Sequence, residues 1–331
     1  MKKIFFIACL FFYLTPETVY SQVSKFENIL GADISFLPEL EARGIIFSDK
    51  GVTKDAIFLL KEKGFNYIRL RIFVNPAADS GYSPHMGFCD LAHTMLMAKR
   101  IHDAGMKFLL DFHYSDNWAD PGHQIIPAAW KNLPFDSIKI ALKNHTIEVL
   151  TSLKKQNTFP DMIQVGNEIN HGIVWPAGDN DHQDQLFELL KEGVAGVRSI
   201  NKKVPIMMHL ACGGQNEESR IFLDKLIAHK ISFDIIGQSY YPQWHGTLED
   251  LKNNLTDLAK NYPQEVVIVE YTAFKKEVNE IAFSIPNKKM RGTFIWEPLN
   301  TWERIFEKEG KSNALIDIYP ELSQKWITPV H

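Results

Sequence analysis

The sequence predicts a (β/α)8 TIM barrel in a single domain, on three observations. From residue 26 onward, apolar or β-branched runs alternate with amphipathic helical stretches. The runs end near residues 33, 71, 113, 168, 209, 240, 270 and 297. Each interval holds a loop, a crossover helix and a return, which parallel strands require, and eight such units match an eight-fold barrel. Third, a doubly wound open sheet would carry a glycine-rich phosphate loop after its first strand. Here that position reads Gly31-Ala32-Asp33-Ile34-Ser35. No linker rich in Pro, Gly or Ser divides the chain, so residues 22–331 are read as one domain.

The elements follow in order. Residues 29–35 form the first strand, and 53–63 a helix with Thr53 as N-cap and Gly64 just past its end. Strand 67–73 precedes a loop rich in Asn, Pro and Gly, then helix 91–103, which stops at Gly105. Strand 106–112 leads to helix 135–155 and strand 162–165, which stops at Gly166. The second half repeats the scheme: helix 183–199, strand 204–209, helix 217–229, strand 234–237 and helix 247–261. Strand 266–269, helix 275–283 and strand 292–296 close the count.

Composition narrows the class. Apolar content of 45% and charged content of 23% suit a soluble globular protein with a sizeable core. A net charge of -4, with no basic run, argues against a nucleic-acid partner. Lys2 and Lys3 precede the apolar run 4–14, and the stretch ends at Val19-Tyr20-Ser21. That is the pattern of a cleavable secretory signal peptide at residues 1–21, too short to span a membrane. A secreted or periplasmic protein, without stable membrane insertion after cleavage, is expected. Cys9 falls inside the leader; Cys89 and Cys212 remain, and the sequence leaves open whether they pair.

In a barrel, the C-terminal strand ends converge on one mouth. Those ends carry Asp33, Arg69 and Arg71, His113, Asn167 with Glu168, His209, Tyr240 with Tyr241, Glu270, and Trp296 with Glu297. The strand bodies are apolar, so the polar groups gather where chemistry is done. Glu168 and Glu270, on strands four and seven, face one another across the mouth. Such a pair suits glycosidic hydrolysis: a protonated carboxyl serves the leaving oxygen, and an ionised one attacks the anomeric carbon. An arginine beside Glu270 would hold that carboxylate ionised. The His, Asp and Glu residues lack tight metal-ligand spacing, so no metal or other cofactor is expected.

The motifs also resemble a known family. Gly31-Ala32-Asp33-Ile34-Ser35, Ile68-Arg69-Leu70-Arg71 and the run from Leu110 through Asp116 and Trp118 to Pro121 are similar to those of the endo-β-1,4-galactanases, glycoside hydrolase family fifty-three. So are Gln164–Asn170, Trp175-Pro176 and Ser239-Tyr240-Tyr241-Pro242 with Trp244-His245-Gly246. The likeness runs from about residue 30 to 300. It implies Glu168 as acid/base, Glu270 as nucleophile, Asn167 on the sugar 2-hydroxyl, and a β-1,4-galactan polysaccharide as substrate of a monomeric enzyme.

Around that pair, Arg69 and Arg71 share a strand face, and one of them orients Glu270; the sequence leaves open which. Tyr240 or Tyr241 donates to the nucleophile. His113 and His209 fit as donors to sugar or carboxylate, and Trp296 as the platform beneath the cleaved sugar. Asp116, Trp118, Trp175 and Trp244, in loops after strands three, four and six, are candidates for the groove, with ordinary packing the alternative. The chain departs from the family pattern at Leu210-Ala211-Cys212-Gly213-Gly214 and at Tyr271. It also has a short segment between Glu270 and Glu297, where some bacterial members hold calcium. A glucanase or mannanase shares the same pair chemistry, whereas a non-catalytic glycan-binding barrel would need neither glutamate.

Overall fold

The computed structural model describes residues 27–286 and 289–327; the leader expected at 1–21 lies outside them. Eight parallel strands close a barrel: β1 (Ile29–Asp33), β2 (Tyr67–Ile72), β3 (Lys107–Phe112), β4 (Met162–Val165), β5 (Ile206–Leu210), β6 (Ile235–Tyr240), β7 (Glu265–Tyr271) and β8 (Met290–Trp296). Neighbours in sequence are neighbours in space, and β8 returns to pair with β1. Closure leaves no exposed sheet edge.

The crossover helices are α1 (Ala56–Glu62), α2 (Leu91–Asp103), α3 (Phe135–Lys155), α4 (Gln183–Ile200), α5 (Asn216–Ala228), α6 (Leu248–Asn261) and α7 (Lys275–Ser284). An eighth, α8 (Ile318–Trp326), follows β8. Capping fixes several starts: Asp90 accepts from His93 N–H ahead of α2, and Thr247 forms a capping box with Asp250 ahead of α6. The sequence expectation for α1 needs correction. Its cap is Asp55, whose carboxylate accepts from Ile57 N–H. Thr53 instead lies in a small antiparallel hairpin, pairing with Ser48.

Side chains facing into the barrel form two layers. Ile29, Tyr67, Leu109, Met162, Met207, Ile235, Val267, Val269 and Phe294 make an apolar plug, separate from the larger cluster between strands and helices. Gly31 makes room for the plug: a Cβ there would sit 2.2 Å from the Phe294 ring. Above the plug, the inward positions turn polar. Cys89 and Cys212 are both buried and unpaired. Among the described residues, no helix is long and apolar enough to cross a membrane.

Phe294 is fully buried, with its ring 5.9 Å from that of Tyr67. Phe294→Ala is expected to cost about 3–5 kcal/mol of unfolding free energy, read as a lower urea midpoint with an unchanged m-value. A loss under about 1 kcal/mol would mean the barrel collapses to fill the gap.

Candidate active site

Backbone irregularities aim the two glutamates. In β7, Val267 and Val269 face inward, so strict alternation would turn Glu270 outward. The register against β6 slips after Gln238–Ile268, so that Ser239 pairs with Glu270. That bulge turns Glu270 into the barrel. After β4, Gly166 (φ +82°) and Glu168 (φ 49°, ψ 54°) adopt left-handed conformations, which bring the Glu168 side chain over the mouth.

Arg69 sits between β1, β3, β4 and β7 with all five of its N–H groups matched to acceptors. Nη1 donates to Glu270 Oε1 (2.7 Å) and Asp33 Oδ2 (2.9 Å), and Nη2 to Asp111 Oδ2 and Asn167 Oδ1 (both 2.8 Å). Nε reaches Gln164 Oε1 at 3.2 Å. Burial works against a charged guanidinium, but Asp111, Glu270 and Asp33 more than reverse that, and Arg69 holds its proton more firmly than usual.

Glu168 and Glu270 occupy unequal surroundings. Glu168 accepts one hydrogen bond, from Ser239 Oγ at 2.6 Å. Burial first, then the charge of Glu270, push its carboxyl well above the usual range. Glu270 is raised by burial too, but Arg69 pulls it back, and Tyr241 donates to its Oε2 at 2.9 Å. Of the pair, Glu168 therefore keeps its proton to higher pH. Burial and Glu270 also keep the Tyr241 phenol protonated as a donor. His209, fully buried beside Arg69, is held neutral. It lies under Glu168, with Nε2 2.8 Å from Ser239 Oγ and Nδ1 2.9 Å from Asn167 Oδ1.

Two adjoining cavities open above this layer. One, of about 220 Å³, is lined by both glutamates, Asn167, Arg69, Arg71, His113, Trp118, Tyr241, Trp244 and Trp296. The other, of about 490 Å³, shares Asp120, Glu168, Tyr241 and Trp244 but not Glu270. His113 is fixed in orientation: Nδ1 accepts from Ala119 N–H at 3.0 Å, and Nε2 lies 3.0 Å from Asp111 Oδ2.

The alternatives left by the sequence are settled by contact. Arg69, not Arg71, touches Glu270. Arg71 instead pairs with Glu297 Oε1 at 2.5 Å, its guanidinium over Phe36 and Trp118 at 4.5 and 4.2 Å. Tyr241, not Tyr240, reaches Glu270; Tyr240 points into the apolar cluster behind the barrel and donates to Gly246 O. Asp116 is turned from both cavities and accepts from Asn75 N–H and Ala128 N–H, which pins two loops together. Trp175 likewise lines neither cavity and donates to His171 O.

Sequence reasoning passed over Asp111, Gln164 and Ser239, all inward-facing and bonded to the central network. Their strand parity was available as a signal. Trp302, 61% exposed with its ring 5.7 Å from that of Trp296, was also missed. Glu168, His209 and Glu270 bring ligand atoms within 4.8 Å of one another. Their donor set does not favour a metal ion. Both His209 nitrogens and both Glu270 oxygens already have partners, and the Arg69 cation stands beside them.

Paired carboxyls of unequal acidity at the C-terminal face of an eight-stranded barrel define, as a class, a glycosidase. The model of Glycosyl hydrolase family 53 matches residues 29–280, and the chain belongs to that family. It is 45% identical over 251 residues to an uncharacterised protein of Niallia circulans, covering 73% of this chain and 66% of that one. It is 33% identical over 311 residues to the arabinogalactan endo-β-1,4-galactanase A of Emericella nidulans, covering 88% and 86%. The Ignisphaera aggregans GH53 catalytic domain superposes with a TM-score of 0.84 at 30% identity, over 88% of this chain and 95% of that one.

Arg69→Met would strip the buried carboxylates of Glu270 and Asp111 of their guanidinium partner and leave Asp33 only Arg71, at 3.7 Å. A loss of about 3–5 kcal/mol in urea unfolding is expected; a change under about 1 kcal/mol would contradict the central role given to Arg69.

Proposed function

We propose that this chain is an exported retaining hydrolase that cleaves internal β-1,4-galactosidic bonds of galactan or type I arabinogalactan. Glu168 acts as acid/base and Glu270 as nucleophile. The observation that carries the mechanism is the approach of two buried, unequally acidic carboxyls to within 4.8 Å. One oxygen of each carboxyl lying that near supports the close pair of a retaining enzyme, about 5–5.5 Å apart, over the about 6.5–9.5 Å by which an inverting enzyme makes room for water. The name of the Emericella nidulans relative supports the substrate. The charged start and apolar run within residues 1–21 support export.

In this mechanism the cleaved sugar occupies the smaller cavity against Trp296. Arg69 and Tyr241 keep Glu270 ionised and aimed at the anomeric carbon. As Glu270 forms the glycosyl–enzyme bond, Glu168 gives its proton to the departing oxygen. Glu168, now ionised, takes a proton from water, which attacks the anomeric carbon and releases Glu270 with configuration retained. Asn167, tied by Nδ2 to Ala119 O and by Oδ1 to Arg69, is placed for the sugar 2-hydroxyl.

Incubation with linear galactan, β-glucan and β-mannan tests the reading: galactan alone should be shortened. Binding without cleavage of any of the three would overturn it. Glu168→Ala and Glu270→Ala should each lower kcat/KM on galactan by at least about 10²-fold. Near-normal turnover in either variant would refute the role given to that residue.

The pH profile should be bell-shaped, the acid limb set by protonation of Glu270 and the alkaline limb by loss of the Glu168 proton. Ser239 donates to Glu168 and so favours its ionised form. Ser239→Ala should therefore move the alkaline limb of kcat/KM to higher pH. A shift to lower pH would contradict the assignment.

A further inference from the structure

The larger cavity identifies where the departing half of the substrate goes, and with which groups. The anomeric carbon must lie within reach of both glutamates, which only the smaller of the two cavities provides. The leaving oxygen must meet Glu168 while pointing away from Glu270. The 490 Å³ cavity has that relation to the pair, since Glu168 lines it and Glu270 does not.

Its wall contains one buried acceptor without a donor and one carboxylate oxygen open to the cavity. Gln215 donates through Nε2 to Trp244 O at 3.2 Å, but its Oε1 is buried without a hydrogen-bond partner. A buried acceptor left unsatisfied is costly, and a ligand hydroxyl would relieve it. Glu218, in the first turn of α5, is held through one oxygen only. Asn170 Nδ2 donates to its Oε1 at 2.5 Å, His171 Nε2 lies 3.3 Å from the same atom, and Ala211 N–H fixes Asn170 in turn. Among the described residues, Glu218 Oε2 meets no protein donor. His171 is steadied on its other side by Pro121 O, 3.2 Å from Nδ1. At the rim, Trp244 is 63% exposed and offers an aromatic face.

We infer that Gln215, Glu218 and His171, beneath Trp244, form the binding site for the first galactosyl unit of the leaving group. The inference rests on the galactanase reading. Two open acceptors beside an indole match a neutral pyranose, which presents hydroxyl donors on its edge and C–H groups on one face. The Glu218 carboxylate disfavours an acidic sugar there. This deepens the departure seen in the sequence: after the small residues Ala211-Cys212-Gly213-Gly214, the polar wall is supplied from Gln215 and the start of α5.

The test compares two substrates that share the glycone side but not the leaving group: linear galactan, and 4-nitrophenyl β-1,4-galactobioside, whose nitrophenol carries no sugar hydroxyls. In Glu218→Ala, the ratio of kcat/KM on galactan to kcat/KM on the aryl substrate should fall about tenfold, mainly through KM on galactan. Gln215→Ala should move the ratio in the same direction. Parallel losses on both substrates, or no loss on galactan, would overturn the inference while leaving the galactanase reading intact. A wild-type protein that cleaves neither substrate would overturn that reading, and the inference with it.

Discussion

All five N–H groups of Arg69 are used, and they reach four other strands or strand ends. A guanidinium buried above an apolar plug has few acceptable states, because removing it from water is expensive unless every donor is matched. Asp33 from β1, Asp111 from β3, Gln164 and Asn167 from the end of β4, and Glu270 from β7 supply the matches. Each acceptor is thereby fixed by a cation that cannot readily lose its proton. The polar layer is thus a single network, and the smaller cavity takes its floor from it.

The network is asymmetric, and the proposed chemistry depends on that asymmetry. Glu270 lies against Arg69 and Tyr241; Glu168, across the mouth, has only Ser239. Burial acts on both carboxyls, but Arg69 is the leading offset for Glu270 and only a minor one for Glu168. Once Glu270 is ionised, its charge further favours the proton on Glu168. The same cation that orients the nucleophile therefore sets the order of protonation across the pair. The polar groups on the leaving side stand outside this layer, on loops and the start of α5, where changes in recognition need not disturb the catalytic floor.

Much of this was legible in the sequence, for physical reasons. Helices α2 and α3 have the limits their patterns imply, because Asp90, Gly105 and Pro134 punctuate long amphipathic runs. The eight strand ends were visible because the bodies are apolar and the ends are not. Parity could not choose between Arg69 and Arg71, which share a face; only the position of β7 and β8 around the ring decides it. Nor could parity show that Glu270 faces inward, since that requires a bulge that the run Val266–Val269 conceals. Thr53 reads as a cap locally, but a hairpin claims it and Asp55 does the capping. Asp116 reads as a groove residue, but two loop N–H groups take both its oxygens. Trp302, Gln215 and Glu218 lie in a loop or near the start of a helix, and only barrel closure brings them to the cleft. Helix α8 carries Pro320 in its first turn, which masks it as a helix in the sequence.

Titration of the two carboxyls by 13C NMR, on protein labelled at glutamate side chains and assigned with Glu168→Gln and Glu270→Gln, addresses the central claim without substrate. Glu168 should titrate above Glu270 in the wild-type protein, and its midpoint should fall in Glu270→Gln, where the neighbouring charge is gone. Titration of Glu168 at or below Glu270, or a midpoint that ignores Glu270→Gln, would contradict a site organised by one buried arginine.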